Sequence, residues 1–318
     1  MTVQLKKKLP LPYKTSYMST KNSSIGIVLV ALGASSYGML ATFVKLAYQE
    51  NFTTAEVTSA QFIYGILGML LLNVFQRKKH KNSTRKATTQ NIFQLMLAGT
   101  SMGMTSVFYY LAVRYIPVSI GIVLLMQTVW MGVLLEWLLD KKKPSIQKTI
   151  AVFVVLIGTL LAINIFNINF NDTHIDWAKG SIWGLLAAAS FTTTMFTANK
   201  IALEISAAQR SLFMLFGGGI IVFGFAIFTQ SEPFNLEIFF KWGIVLALFG
   251  TIIPPMLLNA GFPLTGIGLG SIVSSLELPV SVCMAYLLLD EQVVPIQWLG
   301  IACIISAIVV MNITFRKK

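Results

Sequence analysis

Acidic residues are scarce in this 318-residue chain: it has 12 Asp and Glu against 24 Lys and Arg, and only 11% of its residues are charged. Cysteine and histidine number two each, which excludes a disulfide scaffold and leaves little for a metal centre. His80 and His174 fall in connections assigned below to opposite sides of a membrane, so they cannot share a metal. No Gly-rich phosphate loop ends in Lys-Ser or Lys-Thr, so ATP does not drive the chain directly. Gly266-Ile-Gly268-Leu-Gly270 and Gly217-Gly218-Gly219 follow no strand and read as close helix packing. An integral-membrane enzyme acting on lipid-linked substrates would need acids or histidines clustered at one interface, and no such cluster exists. No cofactor is expected.

What the chain has in abundance is apolar sequence, 55% of all residues. It falls into ten runs, near 25 to 47, 54 to 75, 91 to 113, 117 to 139, 146 to 166, 179 to 201, 207 to 228, 241 to 261, 267 to 289 and 295 to 314. About 20 helical residues cross a hydrocarbon core, and helices satisfy every backbone polar group there. The expectation is an all-α integral membrane protein of ten transmembrane helices, with the bilayer as its solvent.

The net charge of +12 does not point to nucleic acid, because the bases sit in short runs beside span ends. Lys6, Lys7, Lys8, Lys14 and Lys21 precede the first span; Arg77, Lys78, Lys79, Lys81, Arg85 and Lys86 follow the second; Lys141 to Lys143 and Arg316 to Lys318 follow the fourth and tenth. Glu50, Asp172, Asp176, Glu232, Glu237, Asp290 and Glu291 fall on the other side. By the positive-inside rule both termini are expected in the cytoplasm of a multi-pass cell (inner) membrane protein. The polar first 24 residues lead into a run too long for a signal-peptide core, so they read as a cytoplasmic tail. Cys283 and Cys303 lie within spans and read as small packing residues.

Internal similarity adds a constraint. A shift of 150 residues aligns Leu138-Leu139-Asp140 with Leu288-Leu289-Asp290 and Ile146-Gln147 with Ile296-Gln297, and a shift of 151 aligns Gly99-Thr100 with Gly250-Thr251. These matches divide the chain into five-span halves, 25 to 166 and 179 to 314. A unit of five spans enters the membrane inverted relative to its copy, the plan of secondary transporters whose halves rock about a midplane site. The shared corner continues as Lys141-Lys142-Lys143 in one half and Glu291-Gln292-Val293 in the other, as inversion requires.

Those corners, with Leu276-Glu277-Leu278-Pro279 and the Gly-containing last span of each half, resemble the EamA family of the drug/metabolite transporter superfamily. The resemblance covers 25 to 314 and implies export of amino acids, other small metabolites or drugs. The first half departs from it, with Val129 at the position aligned to Pro279 and three lysines after Asp140.

The sharpest residue is Glu277, about 15 Å of helix from either end of its span, where a charged carboxylate costs roughly 2.5 to 3.5 kcal/mol. It is the candidate proton carrier, and the 150-residue shift pairs it with Gln127 as facing walls of one cavity. Gly270, Ser274, Glu277 and Ser281 share a face at helical spacing. Pro279 leaves the carbonyl of Ser275 without its helical donor, and Pro254-Pro255 do the same for Gly250 and Thr251. Asn259 follows near the end of that span. Thr105, Phe108, Tyr109, Tyr110 and Trp130 are either substrate contacts or core and interface aromatics. Lys45 and Lys200 end matching spans, by snorkelling or as gate residues. The function expected is alternating-access export of a small organic molecule by a monomer or homodimer. Proton coupling through Glu277, uncoupled facilitation and multidrug export stay open as alternatives.

Overall fold

The computed structural model describes residues 20–79, 87–141, 143–168, 175–290 and 292–316. His80, His174, Asp172, Glu291, Lys142 and the lysines of the N-terminal tail before Lys21 lie outside them, as do Lys81, Arg85, Lys86, Lys317 and Lys318. The described residues contain no strand.

Helices α1 (Thr20–Gln49), α2 (Thr54–Lys79), α3 (Thr89–Tyr115), α4 (Val118–Leu125), α5 (Thr128–Asp140) and α6 (Ile146–Ala162) come first. They are followed by α7 (Trp177–Lys200), α8 (Ala207–Thr229), α9 (Ile244–Ala247), α10 (Ile253–Thr265), α11 (Ile267–Ser274), α12 (Glu277–Leu288) and α13 (Pro295–Arg316). Among the described residues, seven stretches are long and apolar enough to cross a membrane: Ser23–Gln49, Thr54–Gln76, Thr89–Tyr115, Ile120–Asp140, Ala207–Thr229, Phe239–Thr265 and Ile267–Leu288. Ile146–Ala162 and Pro295–Met311 are shorter apolar helices. The run expected over 146 to 166 ends as an α-helix at Ala162, because Asn164 turns left-handed at φ 56°.

Side chains cap the helices where the chain enters them. Thr88, Ser145 and Ser206 accept from Asn91, Lys148 and Gln209 amides. Asp176 accepts from the Lys179 amide, which together with the Lys179 side chain holds the Asp176 carboxyl below its ordinary range. At α2, Thr53 and Glu56 form a reciprocal capping box, with Thr53 N donating to Glu56 Oε2 at 2.7 Å and Glu56 N to Thr53 Oγ1 at 3.2 Å. The other Glu56 oxygen accepts from Asn235 N at 2.6 Å and Gln230 Nε2 at 3.2 Å, tying α2 to the connection after α8.

Two apolar runs that read as continuous are broken. The chain turns at Met126–Gln127 between α4 and α5, and at Ser275–Leu276 between α11 and α12. Pro279 accounts for the second break, but the carbonyl of Ser275 is not left free: it accepts Leu278 N at 3.2 Å in a tightened turn. The first break has no proline. There the Gln127 side chain itself donates to Val123 O at 3.1 Å, offering the backbone an alternative partner. Both halves therefore bend alike, despite Val129.

The backbone also corrects the repeat register in this region. Val118–Leu125 recurs as Ile267–Ser274, both ends 149 residues on. Lys141 and Asp290, also 149 apart, both adopt the left-handed conformation, with φ 53° and 51°. Glu277 thus corresponds to Thr128, Gln127 to Leu276, and Pro279 to Trp130.

In the bundle α3 packs on α7 and α8, α1 on α10 and α12, α6 on α13, α2 on α8, and α5 on α11. Glycine permits the closest crossing: a Cβ on Gly217 would strike the carbonyl of Met96, and one on Gly99 the backbone of Met214. Before Pro254-Pro255 the helix widens into π turns at Phe239–Gly243 and Leu248–Ile252, a local irregularity that often marks a functional site.

Candidate functional site

Glu277 is the first residue of α12, immediately past the Ser275–Leu276 turn. Gly38 of α1 lets that helix lie against the turn, since any Cβ there would meet the Glu277 carbonyl and the Val280 side chain. In front of Glu277 is a cavity of about 140 Å³. Tyr37, Lys45 and Tyr48 of α1, Gln61 of α2, Thr105, Tyr109 and Tyr110 of α3, and Phe191 and Thr194 of α7 line it. Its volume is close to the roughly 150 Å³ that holds a benzene-sized guest in a protein interior.

The walls are largely aromatic and prearranged. Tyr37 meets Phe191 edge-on at 6.0 Å, Tyr48 meets Tyr110 at 6.3 Å, and Tyr109 meets Tyr110 at 5.9 Å between ring centroids. Among the described residues no hydrogen bond or ion pair engages the Glu277 carboxyl. A second cavity of about 330 Å³ shares Ala41, Lys45, Ile122 and Ser281 with the first. It extends to Leu289, Gln292 and Val293 in the connection before α13. The two spaces together run from Glu277 to one end of the bundle.

The opposite end is tied shut. Asp140 at the end of α5 pairs with Lys200 at the end of α7 at 3.0 Å. Glu136 pairs with Lys148, joining α5 to α6, and its carboxylate lies where a Cβ on Gly266 or Gly268 would sit, against the start of α11. Arg210, 2% exposed, donates to the carbonyls of Thr197, Ala198 and Ile201 at the end of α7. It also donates to Asn259 O at 2.7 Å, the carbonyl whose helical donor Pro263 lacks.

Of the site residues expected from sequence, Glu277, Ser281 and Tyr109 line the cavity, as do Thr105 and Tyr110. Gln127 and Trp130 do not. Gln127 bonds Val123 O with its nitrogen and receives Trp130 Nε1 at 2.8 Å on its oxygen, so both its polar ends serve the helix break. Gln127 and Glu277 are not facing walls of one cavity. Ser274 is buried and donates to Gly270 O at 2.9 Å, so the small polar stripe parts at the turn. Asn259 lies at the closed end with its Nδ2 on Ser211 Oγ at 2.9 Å, and Phe108 stacks on Trp183 at 5.4 Å. Lys45 faces both cavities, whereas Lys200 is in the closing ion pair. Cys283 and Cys303 are free thiols.

Sequence reasoning missed Gln61, Tyr37 and Arg210. A polar residue deep in an apolar span was the available signal for Gln61, and an ionisable one inside a span was the signal for Arg210. Only packing distinguishes them: Gln61 meets a cavity, Arg210 a set of carbonyls.

Comparison with known proteins points to a transporter family. The family model described as the EamA-like transporter family matches residues 24–164 and again 178–313. The uncharacterized transporter YetK of Bacillus subtilis (strain 168) is 28% identical over 73% of this chain and 70% of its own. An uncharacterized transporter of Synechocystis sp. is 23% identical over 91% of this chain and 93% of its own. A crystal structure aligns with a TM-score of 0.73 at 11% identity, over 91% of this chain and 97% of the other, a likeness of fold.

Proposed function

The chain belongs to the EamA-like transporter family, is a multi-pass membrane transporter, and on that premise we propose that it exports a small organic metabolite of amino-acid size by alternating access. Ten spans form two inverted halves in this reading. The twofold match of the family model, the recurrence of the broken helix and the exchange of partners between halves support it: α1 packs on α10 as α7 packs on α3, and α6 meets α13 across the axis. The bases after the second, fourth and tenth spans put the Asp140–Lys200 end in the cytoplasm of a cell membrane. The cavity then opens outward, and the conformation is one that releases cargo.

Glu277 carries the coupling. The observation behind this is a carboxyl at the cavity with no hydrogen bond or ion pair among the described residues. A proton taken up from outside would travel inward on Glu277 while substrate travels out. Substrate binding from the cytoplasmic side would then require the proton to leave. A purely facilitative carrier would use the same cavity without that exchange.

The deciding experiment reconstitutes the protein in vesicles loaded with a labelled amino-acid mixture and imposes a pH difference. Wild type should concentrate cargo against its gradient when only protons supply the drive. The Glu277→Gln variant keeps the shape and should equilibrate cargo without concentrating it. Equal response of the two proteins to the pH difference would replace the coupled reading by the facilitative one.

A further inference from the structure

Gln61 sits in the capped part of α2, and two contacts of its own hold it. The Thr53–Glu56 box fixes the start of the helix. The Gln61 backbone carbonyl accepts the Thr251 hydroxyl at 2.9 Å. Its carboxamide lies over Gly250 in the π turn, where a Cβ would collide with Nε2. Despite this support, the amide is not satisfied. Gln61 is 4% exposed, and its Oε1 is buried with no hydrogen-bond partner. Which amide end bears the oxygen is interchangeable by a flip. The amide as a whole still presents an unused end beside the cavity that contains Glu277.

Buried polar groups are nearly always paired, so an unpaired one held rigidly at a cavity wall points to a partner supplied from the cavity. The chemistry of the wall defines that partner. Glu277 and Gln61 offer acceptors, and the tyrosine faces favour a cation over an anion. Lys45 is the wall shared with the outer cavity.

We propose that Gln61 is a substrate-reading residue, and that with Glu277 it binds the ammonium of a small primary amine whose apolar body packs against the aromatic walls. The inference rests on the transport reading of this cavity and adds the class of cargo. An organic acid of the same size lacks the N–H donors and brings a negative charge to Glu277, so the site should reject it.

Binding at equilibrium tests this without any gradient. The purified full-length chain in detergent is titrated at one pH with isoamylamine and with 4-methylpentanoate, which carries a carboxylate on the same branched chain. Wild type should bind the amine and not the acid. Gln61→Met, of similar length but unable to accept, should weaken amine binding about ten- to a hundredfold, while Gln61→Glu should retain it. Wild type that prefers the acid or binds neither compound overturns the proposal, and so does Gln61→Met binding the amine like wild type. The first comparison needs no variant, so misfolding cannot obscure it. Amine binding that depends on Gln61 in a protein indifferent to a pH difference would keep this inference and discard only proton coupling.

Discussion

The corner between α4 and α5 and the corner between α11 and α12 share one backbone and differ in what they face. Each has an eight-residue half-helix, a two-residue turn and a second half-helix with a left-handed residue one or two positions beyond its end. At the first helical residue past the turn, one half has Thr128, 1% exposed, and the other has Glu277 at the cavity. A second pair shows the same division. Gly250 receives the side chain of Gln61, whereas Gly99 receives the backbone of Met214, itself 1% exposed in an apolar cluster. Local backbone is thus repeated, but polarity is placed on one side only. The difference teaches that the cavity belongs to one end of the bundle and not to each half separately.

Exchanging the two corner residues is the severest way to break that comparison. Thr128→Glu places a carboxylate in a packed environment with no partner, a change that should cost about 3 to 5 kcal/mol and abolish monodisperse protein. Glu277→Thr removes a group that already faces a cavity, so folded protein should persist while coupled transport is lost. Size-exclusion profiles and melting curves of the two variants decide it. Equal loss of fold would mean that Glu277 is a packing residue.

Next in magnitude is the contrast between open and closed ends. Arg210→Met leaves the carbonyls of Ala198, Ile201 and Asn259 without their donor, while Thr197 O keeps the Ile201 amide, for an expected loss of about 3 kcal/mol in stability. The readout is thermal unfolding in detergent. Tyr109→Phe at the open end removes only a hydroxyl that makes no hydrogen bond among the described residues and should leave the melting temperature nearly unchanged.

A smaller effect sharpens the Gln61 comparison. Met214→Gln would bury an amide with no cavity beside it and should destabilise by about 2 kcal/mol. Gln61→Met exchanges an unpaired amide for a thioether of similar length and should be neutral or slightly stabilising. If both substitutions destabilise alike, Gln61 is a structural hydrogen-bonding residue whose partner forms in another conformation.

The fold was legible in the sequence where composition alone decides it, in apolar runs of membrane length that form helices among the described residues. The candidate cavity was legible only through Glu277, which lines it, because a carboxyl deep in a span stands out against any background. Its supposed partner Gln127 was misplaced by one residue. The Leu-Leu-Asp similarity sits one position out of step with the backbone, whose left-handed residues are Lys141 and Asp290. The α4–α5 break was hidden because no proline makes it; a glutamine side chain competes with the helix instead. Gln61 drew no reading at all, and Lys45 read as a snorkelling base or a gate residue. Their meaning depends on which side of each helix is left unpacked, and that arises only when the helices meet.

The smallest stability change should have the largest conformational consequence. Asp140 and Lys200 are each 40% exposed at their side chains, so the pair should contribute under about 1 kcal/mol to stability. Yet it joins the end of α5 to the end of α7 across the closed end, and a cavity open to the other side requires that such links break before access can alternate. Lys200→Glu should therefore leave the melting temperature within a degree or two while lowering the population open at the α12 end. A cysteine at Ser281, which lines both cavities, reports this by its alkylation rate in a background with Cys283 and Cys303 replaced by Ala. The rate should fall in Lys200→Glu and recover in the double exchange Asp140→Lys with Lys200→Glu. Unchanged alkylation in the single variant would show that Glu136–Lys148 and the Arg210 network hold that end closed without help from the surface pair.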